Sequence, residues 1–359
     1  MPAKAGIHIK PGVAQLDTSL RWYDKIKLSH ATIKFMWQFG PKLSVGVDLD
    51  AQSVKIACLL KQWGKYKLVS YGIFPREQTN GIKAFLEDPK LKKASFRVSM
   101  QDTLFKARRL ELPPAPEHEV PKMLEMALNA QLPKSPEHYI LRYQPLQKSA
   151  FIAEKSVLDL YVKELEDFGI YAPKILEPKA NSLATSTLYN HPLKPGVRYT
   201  LVDIGQSTAI FLVISKEGLL FSRNLSEASG DELNKQISKS MDISITNVTK
   251  LVAKDPNFLS IKNPEAKAAL IQWLYKVTIE IQNSIENYQI HFPEDHIQQQ
   301  LFITGGACQI SGLSSYISDT LKLPAQLLEP FAQLDRSGFP KGQLENISHY
   351  FGTAIGLAL

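Results

Sequence analysis

The clearest pattern along the chain is a group of three apolar stretches separated by short polar turns, and it occurs twice. From Leu43 onward, the stretches LSVGVDL, VKIACLL and KYKLVSYGIF are rich in β-branched and aromatic residues. The segment YTLVDIGQSTAIFLVISKEGLLFSRNLS, which begins at Tyr199, shows the same pattern. Apolar runs of this length between turn residues are typical of β-strands. The sequence therefore predicts two separate groups of three strands.

Other stretches carry apolar residues at helical spacing. In 120–128, 157–168 and 270–288 these residues recur every three or four positions, which predicts helices with one apolar face. Between the two strand groups, HPLKPG at 191–196 contains two prolines and a glycine, which interrupt regular structure. We therefore place a domain boundary there.

The two strand groups align with each other. Residues 47–59 match 202–214 without a gap. The alignment pairs Asp48 with Asp203, Leu49 with Ile204 and Ser53 with Thr208. Each group is also followed, later in the chain, by a predicted helix of small residues, at 180–190 and 349–359. The repeat predicts two related α/β lobes, the first of which is interrupted by an insertion at about 77–150.

The repeated hairpin turns have a chemical logic. Two turns that face each other across a cleft can hold one polyphosphate, because turn N–H groups bind anions and small residues let the backbone come close. Asp48 and Asp203, which end the first strands, suit Mg²⁺, a cation that takes oxygen ligands and keeps several waters. Lys55 can offset phosphate charge. Each feature alone fits an ordinary hairpin equally well, and their occurrence in a duplicated frame is what indicates a nucleotide site.

A third stretch, FITGGACQISGLSSYI at 302–317, ends a predicted strand at Thr304 and continues with Gly305 and Gly306. Two adjacent glycines allow flat contact with a ring such as adenine, and a tight turn explains them equally well. Neither a G-x-G-x-x-G after a strand nor a G-x-x-x-x-G-K-[ST] occurs, so a Rossmann dinucleotide site and a P-loop are both excluded.

Composition and charge narrow the class of protein. The 359 residues are 44% hydrophobic and 21% charged, which fits a globular protein of about two domains. No apolar run reaches the roughly 18 residues of a membrane span, and no secretory signal is present, so we expect a cytoplasmic protein without a transmembrane segment.

The net charge is +7, but residues 1–42 hold seven Lys or Arg against two Asp. A basic tail on a near-neutral body is weak support for nucleic-acid binding, and we expect no nucleic-acid partner.

Residues 1–35 show no clean periodicity. We predict a flexible tail or an upstream extension, with Met36 as the true start in the second case. The aromatic residues and isoleucines among lysines leave a membrane-surface helix as an alternative.

Five segments, in this order and spacing, resemble the motifs of the actin-like ATPase superfamily. GVDLDAQSVK is similar to the phosphate-1 motif, LEPKANSLA to connect-1, VDIGQSTAIFLV to phosphate-2, ITGGACQISGL to the adenosine motif and FGTAIGLAL to connect-2. Within this superfamily the chain most resembles the PilM family of type IV pilus assembly proteins, relatives of FtsA, over residues 36–359.

The resemblance implies an α/β, actin-like (ribonuclease H-like) fold of two duplicated lobes, with an extra small subdomain inserted in the first lobe. The first lobe would span 36–192, with the insertion at about 77–150. The second lobe would span 193–359, with the connect-2 helix returning at 345–359.

The resemblance also implies ATP and Mg²⁺ as cofactors, with Asp48 and Asp203 holding the metal through water. The residues implied to contact the nucleotide are Asp50, Ala51, Gln52, Ser53, Lys55, Gly205, Gln206, Ser207, Thr208, Gly230, Gly305 and Gly306. Gly230 follows Ser229, where relatives have a Gly-Gly pair before a helix. No general base is assignable, because Glu177 in the connect-1 segment fits a structural contact equally well, and we expect at most a slow ATPase.

Proteins of this family lie on the cytoplasmic face of the inner membrane and bind the short cytoplasmic N-terminal segment of PilN. The resemblance thus implies a cytoplasmic scaffold of the pilus assembly complex, peripheral to the inner membrane through a PilN-like partner. The pilus motor ATPase and the platform protein are further implied partners. An extended peptide paired along its backbone in an apolar slot is a known mode of recognition, and the sequence assigns no residues to that groove.

One position departs from the internal repeat, since Asp50 stands where the second copy has Gly205. A unit charge about 4 Å from a phosphate costs about 1 to 4 kcal/mol, depending on the local dielectric, or about tenfold or more in affinity. Asp50 can also point outward or help to hold Mg²⁺.

Three alternatives to a nucleotide-binding scaffold follow from these observations. A nucleotide-silent adaptor that only binds a peptide is the first. An FtsA-like membrane-associated filament protein is the second; it predicts a C-terminal amphipathic helix, whereas the sequence stops at Leu359 directly after the connect-2 match. A sugar or acetate kinase is the third, and it needs a base in the cleft for which we find no candidate.

Overall fold

The computed structural model describes residues 42–254, 263–293, 300–340 and 342–359, so the predictions for residues 1–35 and Met36 lie outside the described residues. Its strands are β1 (Lys42–Leu49), β2 (Ser53–Gln62), β3 (Lys65–Pro75), β4 (Ser95–Met100), β5 (Lys106–Arg109), β6 (Tyr139–Gln144), β7 (Ser149–Glu154), β8 (Ile175–Pro178), β9 (Arg198–Ile204), β10 (Ala209–Ser215), β11 (Gly218–Asn224), β12 (Leu301–Thr304) and β13 (Ala325–Leu327). Its α-helices are α1 (Thr79–Leu86), α2 (Val120–Leu128), α3 (Lys155–Asp167), α4 (Lys179–Asn190), α5 (Gly230–Met241), α6 (Ile245–Lys254), α7 (Pro264–His291), α8 (Leu313–Leu321) and α9 (Gly352–Ala358).

Two five-stranded sheets form the centres of two lobes and share one topology. The first has the order β3-β2-β1-β4-β8 and the second the order β11-β10-β9-β12-β13. In each sheet, three consecutive antiparallel strands are extended on one side by two parallel strands. Short turns can join antiparallel neighbours, whereas parallel strands need longer connections. The duplication predicted from the sequence is therefore confirmed in the order and direction of the strands.

The duplication extends to single residues of the two hairpins. Asp48 lies opposite Lys55 in the pairing of β1 with β2, and Asp203 lies opposite Ile210 in the pairing of β9 with β10. The register of the two ladders is thus the same. Equivalent backbone positions in the two lobes carry a lysine in one case and an isoleucine in the other.

A third, three-stranded sheet has the order β5-β7-β6. Helix α2 packs on it through Leu124 and Leu128, which form a small apolar cluster with Leu141 and Ile152. The sequence placed 77–150 in one insertion, but β4, within that range, pairs with β1 and β8 in the main sheet. The buried end of β4 explains this placement, because its residues complete the core between those two strands.

The two helices of small residues, α4 and α9, pack against each other at the centre of the molecule. A Cβ atom on Gly356 would lie 1.7 Å from the carbonyl oxygen of Ser182, so the backbones approach as closely as only glycine allows. On the other side of α9, a Cβ atom on Gly46 would lie 2.0 Å from the carbonyl oxygen of Ala354. Helix α9 also packs on β1 and β2, and α4 on β10 and β11. This helix pair therefore joins the two sheets.

Helix α7 covers one face of the second sheet. Its apolar stripe, which includes Leu270, Val277 and Ile281, is buried in the core of that lobe, as the helical spacing predicts. Within the described ranges, none of the helices combines the length and the apolar character needed to cross a membrane.

Candidate functional site

A cavity of about 410 Å³ lies where the turns of the two equivalent hairpins meet. One group of lining residues is charged and consists of Asp48, Asp50, Lys55, Lys179 and Asp203. Another group is apolar or aromatic and consists of Leu233, Trp273, Ala307, Ile310 and Tyr350. The cavity thus offers a charged region and an apolar region within one volume.

Most of the residues predicted from the sequence line this cavity. They are Asp48, Asp50, Gln52, Ser53, Lys55, Asp203, Gly205, Gln206, Gly230, Gly305 and Gly306. The other three, Ala51, Ser207 and Thr208, are exposed at the tips of the turns and are not part of the lining. The contribution of those three side chains is therefore not supported by their position.

The two turns have the same closing hydrogen bond. The Asp50 N–H donates to the Ser53 carbonyl oxygen at 2.9 Å, and the Gly205 N–H donates to the Thr208 carbonyl oxygen at 2.9 Å. Neither residue 50 nor residue 205 has a left-handed backbone. The backbone of the first turn therefore does not require an aspartate. In the second turn, a Cβ atom on Gly205 would lie 2.9 Å from the Thr208 carbonyl oxygen, so glycine fits there best.

The charged side chains form one continuous row. Lys55 Nζ contacts Asp50 Oδ2 and lies 3.7 Å from Asp48 Oδ2. Lys179 Nζ lies 3.5 Å from Asp50 Oδ1 and 2.8 Å from Asp203 Oδ2. Asp50 thus bridges the two lysines, and the row connects the end of β1 with the end of β9.

The surroundings set the protonation of this row. Burial alone lowers the pKa of Lys179, but the charges of Asp203 and Asp50 outweigh it and hold that pKa well above its usual value. Burial raises the pKa of Asp50, but Lys179 and Lys55 lower it further than burial raises it. Burial and the neighbouring Asp50 raise the pKa of Asp48. Asp50 and Lys179 are therefore charged at neutral pH.

Among the charged residues of the cavity, Lys179 is the one that the sequence analysis missed, and the apolar residues Leu233, Trp273, Ile310 and Tyr350 were not predicted either. Lys179 is the first residue of α4 and is buried, with 8% of its surface exposed. The sequence offered one signal, because Lys179 lies in the segment LEPKANSLA that resembles the connect-1 motif. A lysine at the start of a helix is ordinarily solvated, and its partner Asp50 is 129 positions away in sequence.

The two strand-ending aspartates are held in different ways. The Ser99 hydroxyl of β4 donates to Asp48 Oδ1 at 3.0 Å. The residue at the equivalent position of the second sheet is Thr304, and its hydroxyl donates instead to the His349 carbonyl oxygen at 2.9 Å. Asp48 is therefore positioned by its own sheet, whereas Asp203 is paired with Lys179 of α4.

Gly305 is required by chain packing. Its φ is +94°, and a Cβ atom there would lie 2.5 Å from the Ile204 carbonyl oxygen and 2.6 Å from Asp203 Oδ1. The end of β12 thus contacts the end of β9 directly, and a side chain would separate them. A Cβ atom on Gly306 would make only an ordinary contact, 3.5 Å from the Tyr350 ring. Of the two glycines, Gly306 is the one that leaves space for a ring.

The start of α5 is attached to the second turn. The Gly230 N–H donates to the Gly205 carbonyl oxygen at 3.0 Å, and the Asp231 N–H donates to the Gln206 carbonyl oxygen at 2.7 Å. Helix N-termini commonly bind anions through free N–H groups. Here the first amides of the helix hold the turn in place instead.

Glu177, the connect-1 carboxylate, does not line the cavity. Burial raises the pKa of its carboxyl group to about 7, against the lowering effect of Arg97. The Ser182 hydroxyl donates to Glu177 Oε2 at 3.4 Å. These contacts fit a structural role between β8 and α4.

Comparison with known proteins places this geometry in a family. The profile of the family described as type IV pilus assembly protein PilM matches residues 176–359. No curated protein matches the sequence. The structure is similar to a PilM-PilN type IV pilus biogenesis complex, with 17% identity, a TM-score of 0.73, and coverage of 88% of this chain and 97% of that one. It is also similar to the ethanolamine utilization protein EutJ from Carboxydothermus hydrogenoformans, with 14% identity, a TM-score of 0.51, and coverage of 95% and 99%.

The structural similarities confirm the predicted fold, an actin-like pair of duplicated α/β lobes with a small additional subdomain. The family profile covers more than half of the chain and includes the segments that resemble connect-1, phosphate-2, the adenosine motif and connect-2. The chain belongs to the PilM family of type IV pilus assembly proteins.

Proposed function

We propose that the chain is a scaffold that binds ATP with Mg²⁺ between its lobes and binds the cytoplasmic segment of a PilN-like membrane protein. The convergence of two equivalent hairpin turns on one cavity of about 410 Å³ carries the nucleotide part of this proposal. Small-molecule sites commonly have volumes of this size, with an apolar lining and a few polar groups.

The lining matches the two parts of a nucleotide. Lys55 and Lys179 supply positive charge for phosphate oxygens, and charge-assisted hydrogen bonds of this kind are among the strong ones. The apolar group around Trp273, Ile310 and Tyr350 offers a surface for the base, next to Gly306. The phosphates would then lie between the turns and the base near the end of β12.

Asp48 and Asp203 would hold Mg²⁺ through its waters. Both carboxylates are nearly fully buried, with 2% and 3% of the residue surfaces exposed, and both line the cavity. Carboxylate oxygens are the ligand type that this hard cation takes, and Mg²⁺ bound with phosphates usually keeps several waters. We expect turnover to be slow or absent, because the lining offers no group that we assign as a general base.

The partner half of the proposal rests on family membership and on the similarity to a structure described as a PilM-PilN complex. A scaffold of this kind would be cytoplasmic and held at the inner membrane through its PilN-like partner. The motor ATPase and the platform protein of the pilus are proposed as further partners. The small subdomain of β5–β7 and α2, beside the first lobe, is where we would first look for a peptide groove.

Calorimetric titration with ATP and Mg²⁺ tests the nucleotide half. We expect the native chain to bind and Asp203→Ala to bind at least about tenfold more weakly, because the variant loses a metal-side carboxylate. Asp319→Ala, which removes an exposed carboxylate of α8 outside the cavity, is the matched control and should bind as the native chain does. The melting temperature without ligand shows whether each variant is folded. Absence of ATP binding by the native chain would refute the nucleotide half.

A separate measurement tests the partner half. A labelled peptide with the sequence of the cytoplasmic N-terminal segment of a PilN-like protein from the same genome is titrated with the native chain. We expect saturable binding that a scrambled peptide does not reproduce. Equal binding of both peptides would contradict the proposed partner and leave the nucleotide result standing.

Asp50 favours one alternative, a nucleotide-silent adaptor. Its carboxylate already pairs with both lysines of the cavity. If that pairing is permanent, the cavity has no free cation for phosphate and the chain acts through peptide binding alone. The native ATP titration separates this alternative from the first.

A further inference from the structure

The row of charges suggests how the cavity is regulated. We propose that Lys55 and Lys179 together form one anion site, that the Asp50 carboxylate is its resident anion, and that a nucleotide phosphate binds by displacing Asp50. This inference rests on the proposed nucleotide-binding function and adds to it a second phosphate-binding lysine and an internal competitor.

The position of Asp50 resembles that of a bridging phosphate. One of its oxygens contacts Lys55 and the other faces Lys179 at 3.5 Å. The two lysines come from different parts of the fold, the second strand of the first hairpin and the start of α4. Two cations held on opposite sides of one carboxylate form the kind of arrangement that also suits a phosphate group.

Solvent exposure indicates which of the three groups can move. The side chains of Lys55 and Lys179 are 8% and 10% exposed, whereas that of Asp50 is 24% exposed. Asp50 therefore lies on the solvent side of two buried cations. It can turn outward into water, while the lysines have no comparable path.

Release of Asp50 leaves neither lysine unpaired. Lys55 retains Asp48 at 3.7 Å, and Lys179 retains Asp203 at 2.8 Å. An incoming phosphate brings negative charge to the two lysines as the Asp50 carboxylate leaves them. The exchange therefore costs less than breaking an isolated buried ion pair, which leaves one charge without compensation.

The backbone does not require an aspartate in this turn. The equivalent turn has Gly205 with the same closing hydrogen bond, as described above, and a Cβ atom on Gly205 would lie 3.9 Å from Lys179 Nζ. Both turns thus approach the same lysine, and only the first brings a carboxylate to it. The Asp50 side chain contributes charge to the site rather than geometry to the turn.

The test compares ATP–Mg²⁺ binding by the native chain with binding by Asp50→Asn and Asp50→Gly. Asparagine keeps the shape without the charge, and glycine reproduces the second turn. We expect both variants to bind at least about tenfold more tightly, because the phosphate no longer competes with a carboxylate. Asp319→Asn removes an equal charge from an exposed position of α8 outside the cavity and should change nothing. Pyrophosphate with Mg²⁺ serves as a second probe. It has phosphates but no base, so it reports on the phosphate site alone, and its affinity should increase in the same two variants.

A double variant tests Lys179 as a phosphate ligand. In the Asp50→Gly background, Lys179→Met should abolish the gain in affinity, with the melting temperature recorded to show that the protein is folded. A gain that survives removal of Lys179 would overturn its role as a phosphate ligand.

The outcomes separate the inference from the proposed function. Tighter binding by both Asp50 variants than by the native chain supports the inference. Where only the variants bind, Asp50 is still the competitor, but the nucleotide half of the proposed function fails for the native chain. Native binding with no gain in either variant overturns the inference and leaves the proposed function intact. No binding by the native chain or by any variant overturns both.

Discussion

The turn between β1 and β2 and the turn between β9 and β10 share a backbone but differ in charge. Both follow a buried aspartate, and both are closed by the same hydrogen bond. The first turn adds Asp50 and Lys55, whereas the second has Gly205 and Ile210 at the same positions. The two turns therefore share one frame, and an additional pair of charged side chains is present in the first turn only.

The difference also shows in what holds the aspartates. In the first lobe, Ser99 and Lys55 contact Asp48, and both belong to the same sheet. In the second lobe, the partner of Asp203 is Lys179, which arrives from α4. The first turn is thus organised within its own lobe, while the second depends on a connection between lobes. Changes to the first turn should test this asymmetry most directly.

The largest effect is expected for Lys55→Ile, which gives the first turn the residue found in the second. Lys55 is 7% exposed and compensates two carboxylates, so its loss should lower the free energy of unfolding by about 3 to 5 kcal/mol. Denaturant unfolding measures this loss. Lys65→Ile, at an exposed position of β3, is the control and should cost less than about 0.5 kcal/mol.

Adding Asp50→Gly to Lys55→Ile completes the conversion of the first turn into the second. The double variant should be more stable than Lys55→Ile alone, because Lys55→Ile leaves three carboxyl groups beside the single ammonium group of Lys179, and Asp50→Gly removes one of them. If the changes in free energy of unfolding caused by Asp50→Gly and by Lys55→Ile simply add in the double variant, Asp50 and Lys55 are not energetically coupled. The pairing of their charges would then not contribute to stability.

The sequence predicted the fold well where local pattern and repetition coincide. Both groups of three strands, the long helix α7 and the matching hairpins follow from apolar spacing and an ungapped alignment. The placement of β4 did not follow, because a short strand within the predicted insertion carries no signal of which sheet it will join. Strand partners that are distant in sequence, such as β4 and β8, are set by the packing of the whole lobe.

The sequence predicted the site residues of the hairpin turns but not Lys179, which lies between the two turns. Asp48, Asp50, Lys55 and Asp203 stand out because they lie at repeated positions. Lys179 has no repeated counterpart, and its burial arises only when α4 packs against the second sheet. The prediction that Gly305 and Gly306 both serve contact with a ring was also incomplete, because Gly305 is needed where the ends of β9 and β12 contact each other. In both cases the missing information is tertiary.

The comparison of the two lobes extends to Glu177, which should make the stability of the protein depend on pH. Glu177 of β8 pairs with Ser99, and the equivalent position after β13 is Leu328, which is fully buried. The pKa of Glu177 is raised to about 7 by burial, above its usual value of 4.5. Between about pH 4.5 and 7 the folded protein therefore keeps a proton that the unfolded chain releases. The free energy of unfolding should fall as pH rises through this window, and Glu177→Gln should remove that fall.

Denaturant unfolding of the native chain and Glu177→Gln, recorded from pH 4.5 to pH 8, checks this prediction. We expect the difference between their free energies of unfolding to change by about 3 kcal/mol in favour of the variant over this range. Other titrating groups are the same in both proteins and cancel in the difference. Glu137→Gln, at an exposed position of the small subdomain, is the control and should give a difference that does not vary with pH. A difference in the free energy of unfolding that does not vary with pH for Glu177→Gln as well would contradict the prediction. It would mean that the first lobe accepts an ionised carboxylate at the position where the second lobe has leucine.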